Sequence, residues 1–163
     1  MGRSGQFCLL APVALPAVHA THIVNIHRDG HEEIFLGQLQ IDNHALRLAG
    51  TSLFGINLFN IEYDGQTIKS QPPHMKFHPD MLVVMLELTL ANPAVLKNRL
   101  HNLTLKVSPG EHGQVRELYE LGHLIARIER SDAPLTEAHI KIEISPDHLS
   151  IEMTPIINRV VQP

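Results

Sequence analysis

The chain has 163 residues and a mass of 18.2 kDa, a length that fits one domain with its own core. Its net charge is −4, its Lys and Arg residues are scattered, Trp is absent and aromatic residues make up 4%, which excludes the clustered positive face and the stacking platforms of a nucleic-acid binder. The single cysteine, Cys8, makes neither an internal disulfide nor a cysteine-based zinc site. No apolar run reaches the roughly eighteen residues of a membrane-spanning helix.

The first segment, FCLLAPVALPAVHA from Phe7 to Ala20, is apolar and is cut by Pro12 and Pro16. It reads as a poor signal peptide or, preferably, as the extended start of a mature chain whose signal has been removed. The prolines disfavour a helical apolar region, and Arg3 alone supplies positive charge ahead of it. Residues 1–20 are therefore expected to be a tether or signal remnant, and residues 21–163 a single domain.

From Thr21 the pattern becomes short alternating runs between turn signals. THIVNIHRDGHEEIFLGQLQID reads as strand, turn, strand, with Asp29-Gly30 as a two-residue hairpin turn and Gly37 breaking the register as a bulge would. ALRLAG, Ala45 to Gly50, is the next strand. FGINLFNIEYDGQTI follows, with a second Asp-Gly turn at Asp64-Gly65 and TIKSQ as the return. Gln71-Pro72-Pro73 ends the sheet pattern.

HPDMLVVMLELTLANPAVLKNRL differs in kind. Pro79 suits the first position of a helix and Asp80 its positive end, although Val83, Val84 and Thr89 favour strands. Asn92-Pro93 interrupts the run, and Pro93 starts a second helix over Ala94 to Leu100. Strands then return: LTLKV, two around Gly122 in QVRELYELGHLIARIE, and the hairpin AHIKIEISPDHLSIEM. In that hairpin Ile140, Ile142 and Ile144 alternate with Lys141 and Glu143. Eight or nine strands in hairpin order with one helical interruption predict an α+β fold, an antiparallel sheet with helix packed on one side.

Motifs of chemistry are sparse. Twelve histidines invite a metal site, but His74-x-x-x-His78 lies between prolines, and His19-x-x-His22 and His27-x-x-x-His31 have no acidic or cysteine partner at ligand spacing. No nucleophile elbow or phosphate loop occurs. Ser52 or Ser108 drawn with a histidine is a cheap coincidence in so histidine-rich a chain. No metal, no cofactor and no catalytic residue are expected.

What remains is apolar surface. Leu53, Phe54, Ile56, Leu58, Phe59, Ile61 and Tyr63 cannot all point one way on a single strand. One reading is a central strand buried on both faces. The other is a curved sheet whose concave face is a ligand cavity, covered by the Met81–Leu100 helices. On that reading Phe54, Leu58, Phe59, Ile61, Leu82, Met85, Leu86 and Leu90 line the ligand site. An apolar helix stripe serves equally well as core.

Three blocks of residues carry a family resemblance. Gly55, Leu58, Phe59, Tyr63, Asp64 and Gly65 fit a Gly-x-x-Leu-Phe-x-x-x-Tyr-Asp-Gly pattern. The apolar helix with its proline-started successor, Leu82 to Leu100, is the second block. VRELYELGHLIARIE with IKIEISPDHLSIEM, including Arg116, Gly122 and Ile125, is the third. Over about Ile34 to Ile156 the chain resembles a bacterial lipoprotein family related to the outer-membrane lipoprotein receptor LolB, whose members are often encoded beside fatty-acid-type or aryl-polyene biosynthesis enzymes. It departs at Asn92, where the pattern carries tryptophan before the proline.

The resemblance implies a LolA/LolB-like incomplete β-barrel, strongly curved, with a mid-chain helical lid. It also implies a lipidated cysteine, upstream because Phe7 before Cys8 does not suit lipidation, and a place on the periplasmic face of the bacterial outer membrane. The expected function is non-enzymatic binding or acceptance of a lipid, acyl chain or lipoprotein, aiding transport to the outer membrane. The alternatives are a scaffold lipoprotein of a lipid or polyene biosynthesis complex, and a lipid-acting hydrolase or transferase using His78 or His123.

Overall fold

The computed structural model describes residues 5–72 and 78–157. Strands β1 to β6 span Gln6–Phe7, Val18–Arg28, His31–Ile41, Leu46–Thr51, Asn57–Tyr63 and Ile68–Gln71. Two helices follow, α1 at Pro79–Leu90 and α2 at Pro93–Lys97. Strands β7 to β12 span Leu100–His101, Leu103–Pro109, Gly113–Glu120, His123–Ser131, Ile140–Ile144 and Leu149–Pro155.

The turn residues set the order. Asp29 and Gly30 take positive φ (48° and 79°), so β2 and β3 join through the two-residue turn that suits the twist of antiparallel strands. Leu121 and Gly122 do the same between β9 and β10. Asp64 accepts hydrogen bonds from Gln66 N and Thr67 N at 2.9 and 2.8 Å, closing the β5–β6 turn. Two antiparallel meanders result, β2–β6 and β8–β12, and they join where β2 pairs with β12. The expected eight or nine strands are ten in this sheet, which remains open between its edges β6 and β8. β1 and β7 pair separately.

The fold is α+β, with one face of the sheet apolar. A row of isoleucines, Ile26, Ile151, Ile142 and Ile128, runs across four adjacent strands in register, each residue buried. Leu39, Leu48 and Ile61 form a second such row. The opposite face carries exposed ion pairs such as Arg47 with Asp42 and Glu62, and Lys141 with Glu143. Pairs of this kind contribute little to stability.

α1 packs on the apolar face between the two edges. Eight of its twelve residues are buried, so it is enclosed on nearly all sides and not laid on the sheet by one stripe. That enclosure lets Val83 and Thr89 sit in a helix despite their strand preference, because packing outweighs propensity. Pro79 stands at the first helical position and Asp80 in the first turn, as expected. Asn92 caps α2 by accepting from Ala94 N at 2.9 Å. α2 stops at Lys97, not Leu100, because Leu100 leaves the helix to pair with Phe7.

Three expectations are corrected. β5 is not a central strand buried on both faces: it lies second from the edge and alternates cleanly, with Phe59, Ile61 and Tyr63 buried and Leu58, Asn60 and Glu62 exposed. Its excess apolar residues belong to the preceding loop, where Leu53, Phe54 and Ile56 are exposed. Gly37 is not a bulge, since register runs through it to His22 and Gly50; a Cβ there would meet Val24 Cγ2 at 2.8 Å. The Leu9–Pro16 segment is not a free tether, because Leu10, Pro12 and Leu15 are buried.

Gly50 shows why a small residue is needed on the inner face. The Phe59 ring lies across it where a Cβ would stand, and meets Phe35 edge-on at 5.3 Å between centroids. Gly50→Val is expected to displace that ring and destabilise the fold by about 2–3 kcal/mol, read as a lower urea midpoint with unchanged slope.

Candidate functional site

The candidate site is the apolar face of the sheet with α1 packed on it. Of the eight residues predicted to line a ligand site, Phe59, Ile61, Leu82, Met85, Leu86 and Leu90 are brought together in one buried cluster. Phe54 and Leu58 are not in it. Phe54 is 93% exposed at the tip of the β4–β5 loop and Leu58 points outward from β5, because strand alternation places it opposite Phe59.

The same interior holds polar groups that hydrophobic patterning did not single out. Glu87 lies on α1 and is fully buried. Its Oε2 accepts from Leu10 N at 2.8 Å, and its Oε1 has no hydrogen-bond partner among the described residues. Burial, only partly offset by the Leu10 hydrogen bond and the charge of Arg99, pushes its carboxyl up to about 7. The buried Tyr63 hydroxyl is raised too, by burial first and then by the charge of Glu87. The one hint in the sequence was a lone acidic residue in an otherwise apolar run, MLVVMLELTL.

Arg116 is the second buried charge. It points to the inner face from β9, where its Nη1 donates to Leu88 O and to Ala91 O, both at 2.7 Å, and its Nε donates to Gln114 Oε1 at 2.8 Å. Leu88 and Ala91 carry carbonyls at the C-terminal end of α1, which has no helical donors of its own and favours a cation. Arg116 thus ties the end of α1 to the sheet just before the Asn92-Pro93 break. Burial, with the charge of Arg130 beside it, lowers its guanidinium to about 10, so it stays charged at neutral pH.

His22 is the third inner polar group. Its Nε2 lies 3.1 Å from Ala138 O, and burial lowers its pKa, so the neutral ring donates to that carbonyl. The bond holds the turn at Leu135–Glu137 against β2.

The N-terminal segment crosses the open side of the sheet. Gly5 N donates to Glu120 Oε1 at 2.6 Å, β1 pairs with β7, and Cys8 N donates to Arg99 O at 3.0 Å. The chain then reaches Glu87 through Leu10 and passes Gly65, whose Cβ, if it had one, would sit 3.4 Å from Pro12 Cδ. This strap links the β9 end of one meander to the β5–β6 turn of the other, with α1 beneath.

The histidines among the described residues do not assemble. His78 and His123 are exposed, and neither makes a side-chain hydrogen bond or ion pair among the described residues. His74 lies outside those residues. No group of three or more His, Cys, Asp or Glu suited to a metal occurs among the described residues. The Ser52 hydroxyl accepts from Phe54 N and Ile56 N, so it shapes the exposed loop.

Glu87 makes stability depend on pH with a definite sign. Its folded carboxyl titrates near 7 against an ordinary 4.5, so its contribution is fully present below about pH 4.5 and is lost as pH rises through 7. The difference corresponds to on the order of 3 kcal/mol. Glu87→Gln keeps an acceptor for Leu10 N without a charge. It is expected to raise the urea midpoint at pH 8 and to flatten the wild-type decline between pH 5 and 8. An unchanged pH profile in the variant would exclude Glu87 as its source.

The comparisons with known proteins give a family without an activity. No curated protein matches the chain. Residues 19–156 match the model of DUF3261, described as a protein of unknown function, and that match takes in the whole ten-stranded sheet from the second residue of β2 to the end of β12. The chain therefore belongs to the DUF3261 family.

Proposed function

We propose that this protein is a non-enzymatic carrier or acceptor of an acyl chain, lipid or lipoprotein, of LolA/LolB type, working at the periplasmic face of the bacterial outer membrane. The observation that carries this reading is the enclosure of α1. An apolar helix sits inside an unclosed, apolar sheet, with Leu82, Met85, Leu86 and Leu90 in the same cluster as Phe59 and Ile61. An acyl chain replacing α1 against that sheet exchanges one set of apolar contacts for another, so the swap costs little in hydrophobic terms. Entry requires α1 to move. The Asn92-Pro93 break supplies the hinge, and Arg116 and the Leu10–Glu87 bond supply the restraints.

The β4–β5 loop supports a membrane setting. Leu53, Phe54 and Ile56 are 57%, 93% and 65% exposed, with no charged residue between Arg47 and Glu62. A protruding apolar loop suits contact with a lipid surface. The same loop favours a second reading, a scaffold lipoprotein that holds a biosynthetic complex through this patch. The two differ in the interior: a carrier exchanges α1 for ligand and a scaffold does not.

Organic extraction of the purified protein followed by mass spectrometry is expected to yield a co-purifying acyl compound, and a fluorescent fatty acid is expected to be displaced by unlabelled lipid. Arg116→Met is expected to speed both uptake and amide hydrogen exchange along α1 without abolishing binding. A protein that takes up no probe, in wild type or in Arg116→Met, has a permanently filled interior and is no carrier. Phe54→Ser is expected to reduce co-sedimentation with phospholipid vesicles while leaving probe uptake intact.

A further inference from the structure

We propose that the cleft beside Arg130, where the C-terminus of α1 meets the start of β2, binds the anionic group of an amphiphile, a carboxylate or phosphate. This rests on the carrier reading above and supplies its ligand class.

The cleft has a volume of about 390 Å³ and is lined by Pro16, His19, Leu90, Arg130, Leu135 and Thr136, among others. Among the described residues no Asp or Glu lines it. One wall is the turn that His22 holds through Ala138, and another is Leu90 at the end of the enclosed helix. The site thus joins a fixed polar rim to the place where α1 leaves the sheet.

Arg130 is the cation there, and it is unspent. It is half-buried, and among the described residues it has neither a hydrogen-bond nor an ion-pair partner. The other arginines of β9 and β10 are occupied: Arg127 pairs with Glu129 and Glu117, and Arg116 with three oxygens of its own. Asp132, two residues on, lines a neighbouring cleft that Arg130 also borders, yet makes no ion pair with it.

The sheet places two cations together. Arg130 is opposite Gln114 and Arg116 is opposite Ile128, so the two arginines are diagonal neighbours on the inner face of adjacent strands. The guanidinium of Arg116 is lowered by burial first and then by the charge of Arg130. Burial acts on Arg130 in the same direction. Arg130, partly desolvated and without a carboxylate partner among the described residues, attracts an anion, and its planar fork with five donors fits carboxylate or phosphate oxygens. Thr136 adds a hydroxyl donor at the same rim. The head of an amphiphile bound here has its chain directed past Leu90, along the surface that α1 covers.

The test uses the full chain and three ten-carbon probes, decanoate, decyl phosphate and decanol, titrated by calorimetry. Inorganic phosphate is a fourth probe, followed by the Arg Nε–H resonances in NMR. Both anionic amphiphiles are expected to bind wild type about ten- to a hundredfold tighter than decanol. Arg130→Gln is expected to abolish that preference without changing decanol binding, and Arg130→Lys to retain part of it. Added salt narrows the gap in wild type. A preference that survives Arg130→Gln, or decanol binding as tightly as the anions, overturns the assignment. If no ten-carbon probe binds but inorganic phosphate shifts the Arg130 resonance, the anion site stands as a site for free anions and the carrier reading fails. If inorganic phosphate and all three amphiphiles leave the protein unchanged, both fail.

Discussion

The enclosure of α1 is the constraint on which the rest of the structure depends. A ten-stranded antiparallel sheet that does not close leaves an apolar face and, among the described residues, two unpaired edges, β6 and β8. Either would be a liability if exposed to water or to another chain. One helix, buried over eight of its twelve residues, covers that face between the edges. The order of the chain follows from it: one meander before the helix, one after, and a β2–β12 pairing that joins them at the back. The strap and the short β1–β7 pair then cover the side that α1 leaves open.

Helix enclosure also dictates where polar groups are tolerated inside. The end of α1 has carbonyls without helical donors, and burying it without compensation would be costly. Arg116 supplies that compensation from β9. Glu87 is less well provided for, with one backbone donor and an oxygen unpartnered among the described residues. A permanent core position would be better filled by leucine, since an uncompensated buried carboxylate weakens the fold at neutral pH. Glu87 lies at the contact between α1 and the strap.

The two ends of the sheet differ in character. The β4–β5 loop and the β2–β3 turn lie at one end, and the first presents Leu53, Phe54 and Ile56 to solvent. The start of β2, the end of β10 and the end of α1 meet at the other, where Arg130 faces a cleft without acidic lining among the described residues. An apolar tip and a cationic cleft thus stand at opposite ends of an apolar interior. No arrangement of the histidines, abundant as they are, offers a comparable constellation among the described residues.

Much of the fold was legible in local signals. Asp29-Gly30, Gly122 and the alternation of Ile140, Ile142 and Ile144 fixed hairpins, because turn geometry and strand period act over a few residues. Pro79 and Pro93 marked both helix starts for the same reason. Gly37 and Gly50 could not be interpreted that way, since their smallness answers to Val24 and Phe59 on other strands. The prolines of Leu9 to Pro16 suggested an extended segment, but Pro12–Ala14 form a 3-10 turn, and nothing local announced the docking of Leu10 on Glu87. FGINLFNIEY was apolar enough to pass for a doubly buried strand. Only the β4–β5 turn, with Gly55 at a positive φ of 87°, divides it into an exposed loop and a strand with one buried face. The sequence by itself determined element types, turns and the inner apolar rows. Tertiary structure decided that Arg116 caps α1, that Glu87 meets the strap and that Arg130 stands without a counter-charge among the described residues, because each depends on groups that folding brings from distant parts of the chain.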